Sequence, residues 1–259
     1  MGIDNGTDRP DADTQPWWPV RPQPEPPRLS ILHLMVWTAC AAVYFSFFRI
    51  CQNALEPLGG TSGLASQKVP WLVFGVGRAT ALAGLVLLVA RRLRGVPFLK
   101  HPGEKLWALA GLSAVFALVR QALLIVVLSR VSEFPGSAYA LAISLTSALT
   151  TLVMLALYVW AAVASKGWHW RVYFIAAVLL PVAAALLGAL LAVRIRQPEA
   201  VFVPAGAAYI VNAGILLRAG IVDHRRRIRY PWSHWVGVAL ELWSALGVVV
   251  FVAIAAINR

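Results

Sequence analysis

The chain has 259 residues, a net charge of +12, and 59% hydrophobic against 13% charged residues. With a mean hydropathy of +0.71, it lies far from the roughly 45–50% apolar and about 25% charged make-up of ordinary soluble domains, which excludes a disordered chain and a water-soluble enzyme. Two cysteines exclude a disulfide scaffold and a cysteine-based metal cluster, and a multi-pass membrane protein remains.

Residues 1–28 differ from everything after them. They carry Pro10, Pro16, Pro19, Pro22, Pro24, Pro26 and Pro27 with Asp4, Asp8, Asp11, Asp13 and Glu25, and no apolar period. This composition predicts a disordered, partly polyproline tail. It is too acidic, and lacks the short apolar core, for a signal peptide. Residues 29–259 then hold apolar runs, and a span needs about 20 residues at 1.5 Å each to cross a core of about 30 Å. The runs at 29–48, 69–90, 106–129, 138–164, 172–193, 200–217 and 232–257 meet that length and are separated by Pro and Gly breakers. They predict an all-α bundle of seven transmembrane helices. The sixth run is the weakest, being the shortest and holding Pro204, Gly206, Asn212 and Gly214.

Charge sets the orientation. With the N-terminus in the cytoplasm, Arg9, Arg21, Arg28, Arg91, Arg92, Arg94, Lys100, Lys105, Lys166, Arg171, Arg218, Arg225, Arg226, Arg227 and Arg229 lie inside. Outside lie Arg49, Lys68, Arg130, Arg194, Arg196 and Arg259, so the split is fifteen to six. Lys and Arg favour the cytoplasmic side of short loops, which predicts a cytoplasmic N-terminus and an external C-terminus. The basic residues flank apolar runs, so anionic lipid headgroups are the expected partner and nucleic acid is not. Arg91, Arg92, Arg94, Arg225, Arg226, Arg227 and Arg229 are the candidate lipid contacts.

The sequence lacks Gly-x-Ser-x-Gly, His-Glu-x-x-His, a paired-aspartate motif and a Gly-rich phosphate loop. Past the tail the acids are Glu56, Glu104, Glu133, Glu199, Asp223 and Glu241, which read as scattered. The five histidines, His33, His101, His169, His224 and His234, all fall at the predicted cytoplasmic face and read as interfacial. No cofactor, metal site or catalytic residue is expected.

Ionisable groups inside a span are costly and usually face the bundle interior with a partner. Arg78 in the second run, Arg120 in the third and Glu241 in the seventh form the candidate buried charge cluster, with Gln121, Asn212 and Ser244 as further interior polar residues. Depth counted from the run ends brings the three charges to a common plane, which predicts that Glu241 pairs with Arg78 or Arg120. Small and hydroxylated stripes mark the inner faces: Gly77, Arg78, Ala81, Gly84; Ala110, Ser113, Ala117, Arg120; Ser144, Ser147, Thr151, Tyr158; and Ser233, Gly237, Glu241, Ser244. Such stripes let helices approach closely in lipid.

The phrase Arg28-Leu29-Ser30-Ile31-Leu32-His33-Leu34, the Pro102-Gly103 pair leading into Trp107, and Trp232-Ser233-His234-Trp235 after an Arg-rich loop resemble segments of uncharacterised multi-pass membrane proteins of planctomycete-type bacteria. The resemblance implies a bacterial inner membrane as the location and no site residues. Three functions stay open, the third being a membrane enzyme with an unfamiliar site, which the missing motifs disfavour. The first is a non-enzymatic structural, assembly or sensory component of the membrane. The second is a small transporter or channel for an anionic solute that uses Arg78 and Arg120. A cavity reaching either arginine favours the second, and dry packing there favours the first.

Overall fold

The computed structural model describes residues 30–55, 68–96, 99–130, 136–195, 202–226, 228 and 230–257. The expected N-terminal tail, residues 1–28, lies outside them. The helices are α1 (Ile31–Leu55), α2 (Lys68–Leu93), α3 (Pro102–Arg130), α4 (Gly136–Val163), α5 (Trp168–Ile195), α6 (Phe202–Arg225) and α7 (Trp232–Ile257). Each is long and apolar enough to cross a membrane. The described residues hold no strand.

Large apolar side chains point outward along the helices. Leu145, Leu149 and Leu152 on α4 and Leu186 and Leu190 on α5 are all more than half exposed. Contiguous apolar surface on this scale is untenable in water and suits lipid. The chain is therefore a multi-pass membrane protein, with seven spanning helices among the described residues.

Several boundaries move from the sequence expectation: α1 runs to Leu55 rather than 48, α5 starts at Trp168 rather than 172, and α6 and α3 shift as well. The sixth helix runs to Arg225 rather than ending near 217, so it is a full-length span that carries Arg218 and Asp223 within it. Pro204 causes no break because it sits in the first turn, where its missing N–H removes no intrahelical bond. The third helix starts at Pro102 rather than 106. Pro102 takes the first helical position, and Glu104 follows in the first turn, where a negative charge suits the helix dipole. Glu104 and Lys105, expected in a connecting loop, are consequently helical and buried.

Helices α3 to α7 close into a ring through the neighbouring contacts α3·α4, α4·α5, α5·α6 and α6·α7 and the crossing α3·α7. Helix α2 packs on α3 and α7, and α1 packs on α2 and α3. One core region joins Leu106 and Leu109 with Trp170, Tyr173, Phe174 and Leu216. A second joins Tyr44, Ala79, Leu82, Trp107 and Leu240.

The crossing of α3 and α7 is backbone against backbone. A Cβ at Gly103 would strike the His234 carbonyl, and one at Gly237 would strike the Gly103 carbonyl. A Cβ at Gly84 would strike the Trp107 indole, whose Nε1 donates to the Thr80 carbonyl at 3.1 Å. These glycines fix the register of α2, α3 and α7 against one another. Gly214 on α6 faces open space.

Gly103→Ala is therefore expected to lower the melting temperature of the purified protein, because overpacking costs about 1–3 kcal/mol and a backbone obstacle does not yield as a side chain does. Gly214→Ala should leave the melting temperature unchanged or raise it, since Ala is favoured over Gly in a helix by roughly 0.5–1 kcal/mol. Equal melting temperatures for the two variants would contradict the close crossing.

Candidate functional site

At mid-depth the helices line an open-sided cavity of about 370 Å³. Its wall draws on α2 to α7. The polar lining comprises Arg78 on α2, Ser113 on α3, Thr150, Thr151 and Tyr158 on α4, Tyr209 and Asn212 on α6, and Glu241 and Ser244 on α7. Phe74, Leu155, Val182 and Trp243 complete it with apolar surface. Small side chains leave the volume open: Gly77, Ala81, Ala110, Ala177 and Ala208 all face it.

The hydroxyls have defined directions. Ser244 Oγ donates to Leu240 O at 2.9 Å, Thr150 Oγ1 to Thr146 O at 2.8 Å and Thr151 Oγ1 to Ser147 O at 2.9 Å. Each hydroxyl proton is thus spent on the helix's own backbone, and the oxygen lone pairs remain as acceptors. Asn212 Oδ1 is buried and has no hydrogen-bond partner. Trp243 Nε1 donates to Val73 O at 2.7 Å, which ties α7 to α2 beside the cavity.

The expected ion pair is not formed. Glu241 Oε1 accepts a hydrogen bond from the Tyr158 hydroxyl at 3.1 Å. Arg78 Nη1 donates to the Tyr44 hydroxyl on α1 at 3.4 Å. Elsewhere Arg91 pairs with Glu104, and His169 hydrogen-bonds Asp223. The physical reason is register. From the Gly103–His234 contact, Glu241 lies roughly 10 Å up α7, whereas Arg120 lies roughly 26 Å up α3 at 1.5 Å per residue. Arg78, counted from the Gly84–Trp107 contact, lies roughly 15 Å up, within about one turn of Glu241. Arg78 and Glu241 therefore share the cavity together with Asn212 and Ser244. Arg120, whose Nε is buried without a partner, and Gln121 lie outside its wall.

A second polar region closes the bundle at the end formed by the α2–α3, α4–α5 and α6–α7 connections, here termed the basic end. Glu104, Lys105, Ser165, Asp223, Ser233 and His234 are all buried there. Glu104 Oε1 accepts from Arg91 Nη1 at 3.3 Å and from Ser233 Oγ at 2.9 Å. Its Oε2 accepts from the backbone N–H of Lys100 at 3.2 Å and of His101 at 3.5 Å, the return half of a capping box. One carboxylate thus joins the end of α2 to the starts of α3 and α7.

Lys105 Nζ donates to Ala164 O at 2.6 Å and to Ser165 Oγ at 3.2 Å. Arg171 Nε donates to Ser165 O at 2.7 Å. Both cations cap the C-terminal end of α4, where the helix dipole is negative. Asp223 Oδ2 accepts from Trp170 Nε1, and Oδ1 pairs with His169 Nε2, each at 2.7 Å. His234 Nδ1 accepts from the Gly103 N–H at 2.9 Å, satisfying an orphan donor of the first turn of α3. The Tyr230 ring stacks on His234 with centroids 4.0 Å apart. Burial, then the neighbouring Asp223, pushes the Tyr230 hydroxyl up to about 12, so it stays neutral at physiological pH. Burial also lowers His101 against the opposing pull of Glu104.

The sequence reading missed this layer, treating the acids as scattered and the histidines as interfacial. A local signal existed. Asp223 sits in the last turn of α6, where a negative charge opposes the helix dipole unless something else holds it. Trp168-His169-Trp170 and Trp232-Ser233-His234-Trp235 supply indole and imidazole groups at the starts of α5 and α7.

Asp223→Leu should destabilise the protein strongly, since each buried donor left unpaired costs about 1–3 kcal/mol. Asp223→Asn, which keeps an acceptor, should fall between it and the parent in melting temperature. Equal stability of all three would show that the His169–Asp223–Trp170 group holds nothing together. Comparison with protein-family models, with characterised proteins and with solved structures returns no match.

Proposed function

We propose that the protein is a bacterial inner-membrane protein that binds a small polar solute in its central cavity and moves it across the bilayer. The observation that carries this reading is the mid-depth cavity of about 370 Å³ with Arg78 and Glu241 in its wall. A purely structural component favours dry packing at that level, because a void forfeits dispersion contacts along its lining. Ionisable residues facing a cavity within spans mark solute or ion pathways. Of the two arginines considered for an anionic group, Arg78 is the one in the wall, so it takes that role and Arg120 does not.

Access is tested without knowing the solute. With Cys40 and Cys51 replaced by Ala, Ser244→Cys should react with a small water-soluble thiol reagent in membranes. Leu186→Cys, on the lipid-facing side of α5, should not. Protection of Ser244→Cys equal to that of Leu186→Cys would remove the solute-binding role.

The membrane orientation rests on the fifteen-to-six division of basic residues. It places the basic end and the N-terminus in the cytoplasm. Reporter domains fused at Gly95 or after Arg226 should read as cytoplasmic, and an external reading at either would reverse the topology.

At that face Arg92 and Arg94 beside the α2–α3 connection and Arg225 and Arg226 beside the α6–α7 connection are exposed. Arg91 is partly exposed and paired with Glu104, and Arg227 and Arg229 lie outside the described residues. Exposed basic groups near an anionic leaflet contribute about 1 kcal/mol each. Changing Arg225, Arg226, Arg227 and Arg229 to Gln should reduce co-purifying anionic lipid, and unchanged lipid content would assign those residues to insertion alone.

A further inference from the structure

We propose that the solute is a small zwitterion of amino-acid size, its anionic group taken by Arg78 and its cationic group by Glu241. This rests on the solute-binding reading of the cavity and adds the chemical class of what it binds.

Two oppositely ionisable side chains share one cavity wall and do not meet. Glu241 and Arg78 both line the space, yet the carboxylate is held by Tyr158 and the guanidinium by Tyr44. A tyrosine hydroxyl supplies one proton to a carboxylate that can accept several, and one acceptor to a guanidinium with five donors. Neither group has an oppositely charged side chain within ion-pair distance, and both lie at a depth where an uncompensated charge is expensive. A solute carrying one charge would relieve one residue and repel the other. A molecule with both charges relieves both.

The lining fits the same class. Asn212 Oδ1 is buried without a partner, and the Ser244 oxygen has its lone pairs free beside Glu241. Both are acceptors, the groups that an ammonium with three donors requires besides a carboxylate. The size agrees: about 370 Å³ corresponds to the share of about a dozen waters at roughly 30 Å³ each. That holds an amino acid with some residual water and is far too small for a lipid.

A matched set of probes separates the charge requirements. Leucine is a zwitterion, N-acetylleucine keeps only the negative charge and leucine methyl ester keeps only the positive one. Glycine adds a smaller zwitterion. Binding to the purified full-length protein in lipid nanodiscs is measured by calorimetry. Leucine or glycine should bind about tenfold or more tightly than either singly charged probe, because each of those leaves one buried charge unpaired. Glu241→Gln, which keeps a partner for Tyr158, should erase the preference over N-acetylleucine. Arg78→Gln should erase the preference over the methyl ester, and Arg78→Lys should retain it, with monodisperse size-exclusion profiles showing that each variant folds.

Binding of N-acetylleucine as tight as that of leucine, binding of no probe at all, or an unchanged preference in Glu241→Gln would each overturn the proposal. The thiol-accessibility result at Ser244 tells the two failures apart. A reactive cysteine with flat probe binding removes the zwitterion and leaves the cavity reading. An unreactive one removes both.

Discussion

The contact on which the rest of this structure depends is the close crossing of α3 and α7 at Gly103, His234 and Gly237. With no Cβ at either glycine, the two backbones approach until the Gly103 N–H reaches His234 Nδ1 at 2.9 Å. In lipid the hydrophobic effect does not drive helices together, so dispersion and hydrogen bonds at such crossings must do so. This one sets the vertical register of both helices. Everything above it follows by helical rise, including which charged residues share a level.

Below the cavity, the polar layer makes that register rigid. Glu104 gathers donors from α2, the start of α3 and α7. Lys105 reaches from α3 to the end of α4, and Asp223 reaches from α6 to α5. Each buried charge is met by protein donors or acceptors, the condition under which a buried polar network rigidifies a fold. The layer thus links six helices at one end, and the ring above it is free to stay open.

The seven helices were legible in the sequence because their signal is length and hydropathy, which need no knowledge of neighbours. The weakest run proved full length, since Pro204 falls in the first turn of α6 and Arg218 and Asp223 lie within the helix. The inner faces were legible too. Gly77, Ala81, Ala110, Ser113, Thr151, Tyr158, Glu241 and Ser244, picked out by helical spacing, all line the cavity. What spacing could not say is that one stripe does two jobs. Gly84, Gly103 and Gly237 bring helices into contact, Gly77 admits the Trp243 ring of α7 and also borders the void, and Ala81 on the same stripe borders the void. The distinction depends on the neighbouring helix and is absent from any single stripe. The depth of Arg120 was misjudged for a related reason. Four residues added to the start of α3 by Pro102 and Glu104, and a longer far end to Arg130, moved it away from the plane of Glu241.

That displacement explains why the cavity persists. Had Arg120 or Arg78 closed on Glu241, the pair would have drawn α7 toward α2 or α3 and filled the centre with its own side chains. Instead Tyr44 holds the Arg78 guanidinium from α1 and Tyr158 holds Glu241 from α4. Two aromatic hydroxyls on opposite sides thus restrain two charges that attract one another. An ion pair in a low-dielectric interior gains large Coulomb energy only at close range, so separating them leaves free energy unrealised within the wall. A neutral pair of side chains would pack the same space more tightly, and replacing buried ion pairs by apolar groups is often stabilising. Two separated ionisable groups, each positioned by a hydroxyl, therefore do little for stability alone, and the proposed solute would supply the partner that each lacks.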